Sequence, residues 1–164
     1  MRSQAEEASN HLPEDLLTQE DIEKLIDAAG NLRDKAFIAL LYESGARKGE
    51  ILGIQIKHIQ FDERGTVATL PKGKTGARRI RIVFSTGYWR NWLDNHPDIQ
   101  NREALVWASL KYPDKPMDYH TLPGIISKEQ KKSRDSKACE FTFFRHVRAL
   151  ILQKLLLKHS LKFT

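Results

Sequence analysis

At 164 residues, 40% of them hydrophobic, the chain is long enough to bury one core and is close to the commonest domain size. Its single cysteine, Cys139, excludes an internal disulfide, no cysteine–histidine spacing suits a metal, and no apolar run approaches the length that spans a bilayer. The 27 basic and 21 acidic side chains leave +6, yet residues 1–29 hold two basic and eight acidic groups, so the other 135 residues carry +12.

In chain order, residues 1–15 read as a flexible leader containing Pro13, polar and acidic rather than a basic head followed by an apolar stretch. Thr18, with Asp21 three residues on, predicts the cap of a first helix carrying Ile22, Leu25, Ile26 and Ala29 and stopped by Gly30. The same periodicity predicts a second helix over Leu32 to Ser44, and a third begins near Arg47, with Ile51, Leu52 and Ile54 leading away from it. Three extended runs follow, Ile56 to Phe61, Thr66 to Leu70 and Arg79 to Phe84, rich in β-branched and apolar residues and separated by the turn sequences DERG and PKGKTGA. They predict a small antiparallel sheet set among helices.

Thr86 to Asn95 predicts a further helix, ended by His96 and Pro97, whose Tyr88, Trp89, Trp92 and Leu93 fit a core better than a base-stacking platform. Residues 98–118 are mixed, with a short apolar piece from Ala104 to Ala108. Leu122 to Lys132 reads as helical despite Pro123 and Gly124. From Val147 onward Leu150, Ile151, Leu155 and Leu156 fall on one face of a last helix. No internal repeat or low-complexity tract interrupts this order.

Three clusters of residues carry the chemistry. Arg47 follows the glycine turn at Gly45 and stands at the start of a helix, pinned between packed apolar segments. A guanidinium held there offers a fixed fork of donors that matches two phosphate oxygens, although a helix corner with a solvated arginine has the same sequence. The second cluster, Lys72, Lys74, Arg78, Arg79 and Arg81, falls within ten residues that contain no acid, and glycines at 73 and 76 permit the positive backbone angles of a tight turn. Ammonium groups at the tip of such a ribbon suit a polyanion, whose affinity comes largely from counterion release, and suit equally a solvated basic hairpin. In the third cluster Arg145 and His146 stand at the entrance of the last helix, where His146 fits a packed or capping residue better than a proton carrier.

The segment GARKGE, Gly45 to Glu50, resembles the first arginine motif of the tyrosine recombinase (phage integrase) family, glycine-x-arginine-x-x-glutamate between two helices. Gly73-Lys74 matches the glycine-lysine pair of that family's β-hairpin, and Arg145-His146 matches the last two positions of its histidine-x-x-arginine-histidine motif. The three motifs come in the family's order. The resemblance, from about Leu17 onward, implies an α+β, mainly helical catalytic domain with a small three-stranded antiparallel sheet, spanning residues 16–164 after the 1–15 leader and incomplete at its C-terminus. It implies that Arg47 and Arg145 clamp a scissile phosphate and that Lys74 contacts DNA and is the general acid for the leaving 5′ hydroxyl, while the clustered charge points to Lys72, Lys74, Arg78 and Arg79 as DNA contacts. Thr142 stands where the family usually has histidine; threonine can hydrogen-bond a phosphate oxygen but cannot transfer a proton near neutral pH.

The family's nucleophile is a tyrosine well beyond the second arginine. Tyr42, Tyr88, Tyr112 and Tyr119 all precede Arg145, and residues 146–164 contain no tyrosine. The reading is therefore the catalytic-domain portion of a site-specific recombinase, inactive by itself, or a non-catalytic DNA-binding remnant of an integrase. A basic RNA-binding module is disfavoured, because the aromatic-rich strand signature of RNA-binding sheets is missing. The expected partners are double-stranded DNA and other recombinase protomers, in the cytoplasm, with no membrane, cofactor or metal.

Overall fold

The computed structural model describes residues 18–73 and 76–117, the side chains at 48, 72 and 73 excepted. Helix α1 (Gln19–Ala28) begins with a reciprocal cap: the Asp21 N–H donates to Thr18 Oγ1 at 3.2 Å and the Thr18 N–H to Asp21 Oδ2 at 2.8 Å. Its Ile22, Leu25 and Ile26 are buried, and it ends at Ala28, two residues before Gly30, with Ala29 already in extended backbone.

Helix α2 (Leu32–Ser44) starts at Asn31, whose side chain accepts the Asp34 N–H at 2.9 Å. Residues 36 to 42 are buried on every side, so α2 is the central rod of the core rather than an amphipathic surface helix. Arg33 and Asp34 are buried as an ion pair near its N-terminus, with Arg33 Nη1 donating to the Ala108 carbonyl at 3.0 Å. The short α3 (Lys48–Leu52) follows through a three-residue turn.

The sheet is antiparallel in the order β1 (Ile59–Asp62), β2 (Gly65–Gly73), β3 (Gly76–Ile82). The first extended run begins later than its sequence suggests: Ile56–His58 is a single 3-10 turn. The cause is a competing pairing, in which the Ile56 and Lys57 N–H groups donate to Ala104 and Arg102 carbonyls at 3.0 and 2.9 Å. Thr66, Ala68 and Leu70 of β2 face the core opposite Ile82, Ile80 and Arg78 of β3, whereas Val67 and Thr69 face outward opposite Arg81 and Arg79. At the β1–β2 turn Gly65 adopts φ 126°, and a Cβ there would come within 2.3 Å of the Ile82 carbonyl oxygen, so no other residue fits.

Helix α4 (Thr86–Asp94) closes the described fold. Trp89, Trp92 and Leu93 are buried, and Trp89 packs edge-on against Trp107, which packs edge-on against Phe37 of α2. Trp107 lies in the segment that runs beside Ile54, with the Val106 N–H donating to the Ile54 carbonyl at 2.9 Å. Glu43, near the end of α2, accepts the N–H groups of Val83, Phe84 and Ser85 at 2.6, 3.0 and 2.9 Å and the Ser85 hydroxyl at 2.6 Å. One carboxylate thus ties the strand-to-helix turn to the central rod. The leader, the tip at 74–75, Leu122 to Lys132 and the last helix lie outside the described residues.

Candidate phosphate-binding site

The turn that presents Arg47 is built from its backbone. Gly45, at φ 57°, is the left-handed residue that ends α2, and its N–H reaches the Leu41 carbonyl at 3.2 Å. The Ala46 N–H donates to Ser44 Oγ at 3.1 Å, and the Ala46 side chain is buried. Arg47 then stands in extended backbone at the N-cap of α3. Its carbonyl accepts the N–H groups of Glu50 and Ile51 at 2.9 and 3.1 Å, and its own N–H donates to Glu50 Oε2 at 3.1 Å. Every main-chain polar group of Arg47 is therefore engaged. Its side chain is exposed and makes no hydrogen bond or ion pair among the described residues. A guanidinium with a fixed root and outward donors has the geometry to take two oxygens of an anion.

Glu50 is only 8% exposed, and the same oxygen that holds the Arg47 N–H also accepts Arg78 Nη2 at 3.0 Å. Arg78 sits on the core-facing side of β3 opposite Leu70, three residues before Gly73, the end of β2. A second contact joins the same two elements: a Cβ on Gly53, at the end of α3, would lie 2.8 Å from Pro71 Cγ. The root of the hairpin is thereby held against α3 by an ion pair at its first turn and by the Pro71 ring set close to Gly53 at its end. Beyond that root, Gly73 pairs with Gly76, which has φ 89°.

The three arginines of β3 differ in their engagement. Arg78 is bound to Glu50; Arg81 makes a bidentate pair with Asp62 across the sheet at 2.8 Å for each bond. That hydrogen bonding holds the Asp62 carboxyl below the usual carboxylate range. Arg79 is exposed on the outer face, with no partner among the described residues. Of the residues expected to act, the structure describes Arg47, Arg78 and Arg79. The Lys72 side chain, Lys74, Thr142, Arg145 and His146 lie outside the described residues. Glu50 was legible as a fixed position of the motif and, three residues after an N-cap, has capping-box spacing; its second bond, to Arg78, had no signal.

A mainly helical α+β domain with a three-stranded antiparallel sheet beside an arginine turn is the architecture of tyrosine recombinase catalytic domains. The crystal structure of XerA recombinase superposes with a TM-score of 0.71 over 84% of this chain and 50% of that one, at 21% identity. XerH site-specific recombinase bound to palindromic difH substrate, in a post-cleavage complex, gives 0.65 over 89% and 44%, at 19% identity. The sequence profile of the phage integrase family matches residues 15–155, and the chain belongs to that family. Tyrosine recombinase XerA of Pyrococcus horikoshii is 30% identical in an alignment of 141 residues that covers 74% of this chain and 49% of that relative. The chain thus spans about half the length of that recombinase. Among the described residues no helix is long and apolar enough to cross a membrane, and no cluster of three metal-ligating side chains occurs.

Proposed function

We propose that this chain is the phosphate-gripping portion of a site-specific DNA recombinase. The observation that carries the reading is Arg47, whose backbone is fully engaged in its turn while its guanidinium stays exposed and unpaired among the described residues. In the proposed reaction a tyrosine hydroxyl releases its proton to solvent as its oxygen attacks the scissile phosphate, forming a 3′-phosphotyrosine bond and breaking the bond to the 5′ oxygen. Arg47 and Arg145 neutralise the charge that develops on the phosphoryl oxygens, and Lys74 gives its proton to the departing 5′ oxygen. Double-stranded DNA is the partner, and recombinase protomers assemble on it.

Residues 146–164 hold no tyrosine, and Thr142 occupies the place of a proton-transferring histidine. These two features favour a second reading of the 164-residue polypeptide acting alone: it binds a phosphodiester without cleaving it. The nucleophile must then come from outside these residues. Incubation with bridging-phosphorothiolate DNA, read by mass spectrometry for a denaturation-resistant adduct, tests both. We expect no adduct from this polypeptide and an adduct once a tyrosine-bearing C-terminal segment is added. An adduct on Tyr42, Tyr88, Tyr112 or Tyr119 overturns the account. So does a distance measurement that places the Arg47 and Arg145 side chains on opposite faces.

A further inference from the structure

We propose that Arg78 is a positioning residue that couples the β2–β3 hairpin to the Arg47 turn, and that its effect on DNA passes through that turn rather than through a phosphate contact of its own. Three observations converge on it. Glu50 Oε2 is a single acceptor shared by the Arg47 main-chain N–H and by Arg78 Nη2, at 3.1 and 3.0 Å. That carboxylate is 8% exposed, so its charge sits where a partner is needed, and Arg78 is the cation paired with it. Arg78 also lies on the side of β3 that faces α3, whereas its neighbour Arg79 points to the opposite face.

The consequence is mechanical. Position 78 stands two residues beyond Gly76, where the hairpin re-enters the sheet, and Gly53 packs against Pro71 on the other arm. One arm is therefore fastened to the first turn of α3 at Glu50, and the other lies against its end at Gly53. If the hairpin moves against α3, the Glu50 carboxylate must either follow Arg78 or stay with the Arg47 N–H. The pair makes the orientation of the arginine turn and that of the hairpin one variable instead of two. The DNA part of this inference rests on the reading of Arg47 as a phosphate clamp; the mechanical part does not.

The test compares Arg78→Gln with Arg79→Gln, two neutralisations one residue apart on the same strand. Amide hydrogen exchange is read at Arg47 and at Leu70, Gly76 and Ala77. Arg78→Gln should accelerate exchange at the Arg47 N–H by about fivefold, the effect of losing a half-exposed charge-assisted bond, and Arg79→Gln should leave it unchanged. Arg78→Lys, which keeps a cation facing Glu50, should restore most of the protection. In duplex binding, Arg47→Ala and Arg78→Gln should be less than additive, because the second acts through the first. Unaltered Arg47 exchange in Arg78→Gln overturns the coupling. Strict additivity in binding, with equal losses for Arg78→Gln and Arg79→Gln, overturns the claim that Arg78 acts through the turn. Absence of duplex binding by the unaltered chain counts against the proposed function alone, since the exchange measurement still decides the coupling.

Discussion

Arg33 and Arg47 each stand at the beginning of a helix, and the protein treats them in opposite ways. Arg33 is 6% exposed, with Nε and Nη2 on Asp34 Oδ1 at 2.9 and 2.8 Å and Nη1 on the Ala108 carbonyl. Arg47 has its main chain fully engaged and its head group free of partners among the described residues. The difference separates two uses of one side chain. A guanidinium whose donors are met by protein atoms holds elements together; one whose root is fixed and whose donors are left outward is available to a ligand.

The largest effect expected from this contrast is on stability. Arg33→Ala leaves the Asp34 carboxylate buried without its cation and removes the tie from α2 to residue 108, and should cost roughly 3–5 kcal/mol in urea unfolding. Arg47→Ala, by contrast, should change stability by less than about 0.5 kcal/mol, as expected of an exposed side chain with no partner among the described residues. Equal losses for the two would dissolve the distinction.

The next effect is on DNA affinity and runs the other way. Arg47→Ala should weaken duplex binding by roughly 1–3 kcal/mol, the scale of a charge-assisted hydrogen bond, and make the logarithmic salt dependence shallower by about one ion. A destabilised but folded Arg33 variant should keep both at low temperature. Affinity that is flat between low and moderate salt would contradict an electrostatic grip.

The contrast also marks what was legible in the sequence. The helix at Gln19 declares itself through its Thr18 cap and apolar periodicity, those at Leu32 and Thr86 through apolar spacing, and the arginine turn through Gly45 and the spacing of Arg47 to Glu50. Local signals of that kind survive into the structure because the neighbours that enforce them are a few residues away. The Ile56–His58 turn was missed because its N–H groups are claimed by residues 102 and 104, more than forty positions along the chain. The roles of Glu43 and of Arg78 were illegible for the same reason, since each is defined by partners that only the folded chain brings near. A run of five basic residues reads as one patch, yet pairing divides it into Arg78, held by Glu50, Arg81, held by Asp62, and Arg79, which is free among the described residues.

A smaller effect separates buried from exposed histidine. His96 is 4% exposed, its Nε2 lies 3.1 Å from the Leu105 carbonyl, and its Nδ1 accepts the Asp98 N–H at 3.1 Å. Burial pushes its pKa below the ordinary 6.5. The folded state thus binds this proton less readily than the unfolded chain. The stability it contributes is complete above pH 6.5 and declines as the pH falls from there toward the folded-state value, with a slope of at most about 1.4 kcal/mol per pH unit. His96→Gln should remove that part of the acid slope. An unchanged slope would place the titrating group elsewhere.

The smallest expected effect concerns the outer face of the sheet, where Arg79 has no partner among the described residues and Arg81 is paired with Asp62. Both members of that pair are 44% exposed, so water and salt screen it and Asp62→Asn should leave the unfolding midpoint at moderate salt nearly unchanged. Below the ordinary Asp value of 3.8 the sign is nonetheless fixed: the lowered pKa means that the pair's contribution is present above that value and fades as the pH falls through the folded-state value. The sharper use of Asp62→Asn is on binding. It releases Arg81 beside Arg79 and removes one negative charge, so if DNA runs along this face the salt dependence should steepen by about one ion, whereas Arg79→Ala should make it shallower by the same amount. Opposite changes of that size would place the duplex across the outer face. Two flat results would confine it to the side of Arg47 and remove Arg79 from the contact surface, leaving the contrast between engaged and free arginines to hold only where a helix start presents the side chain.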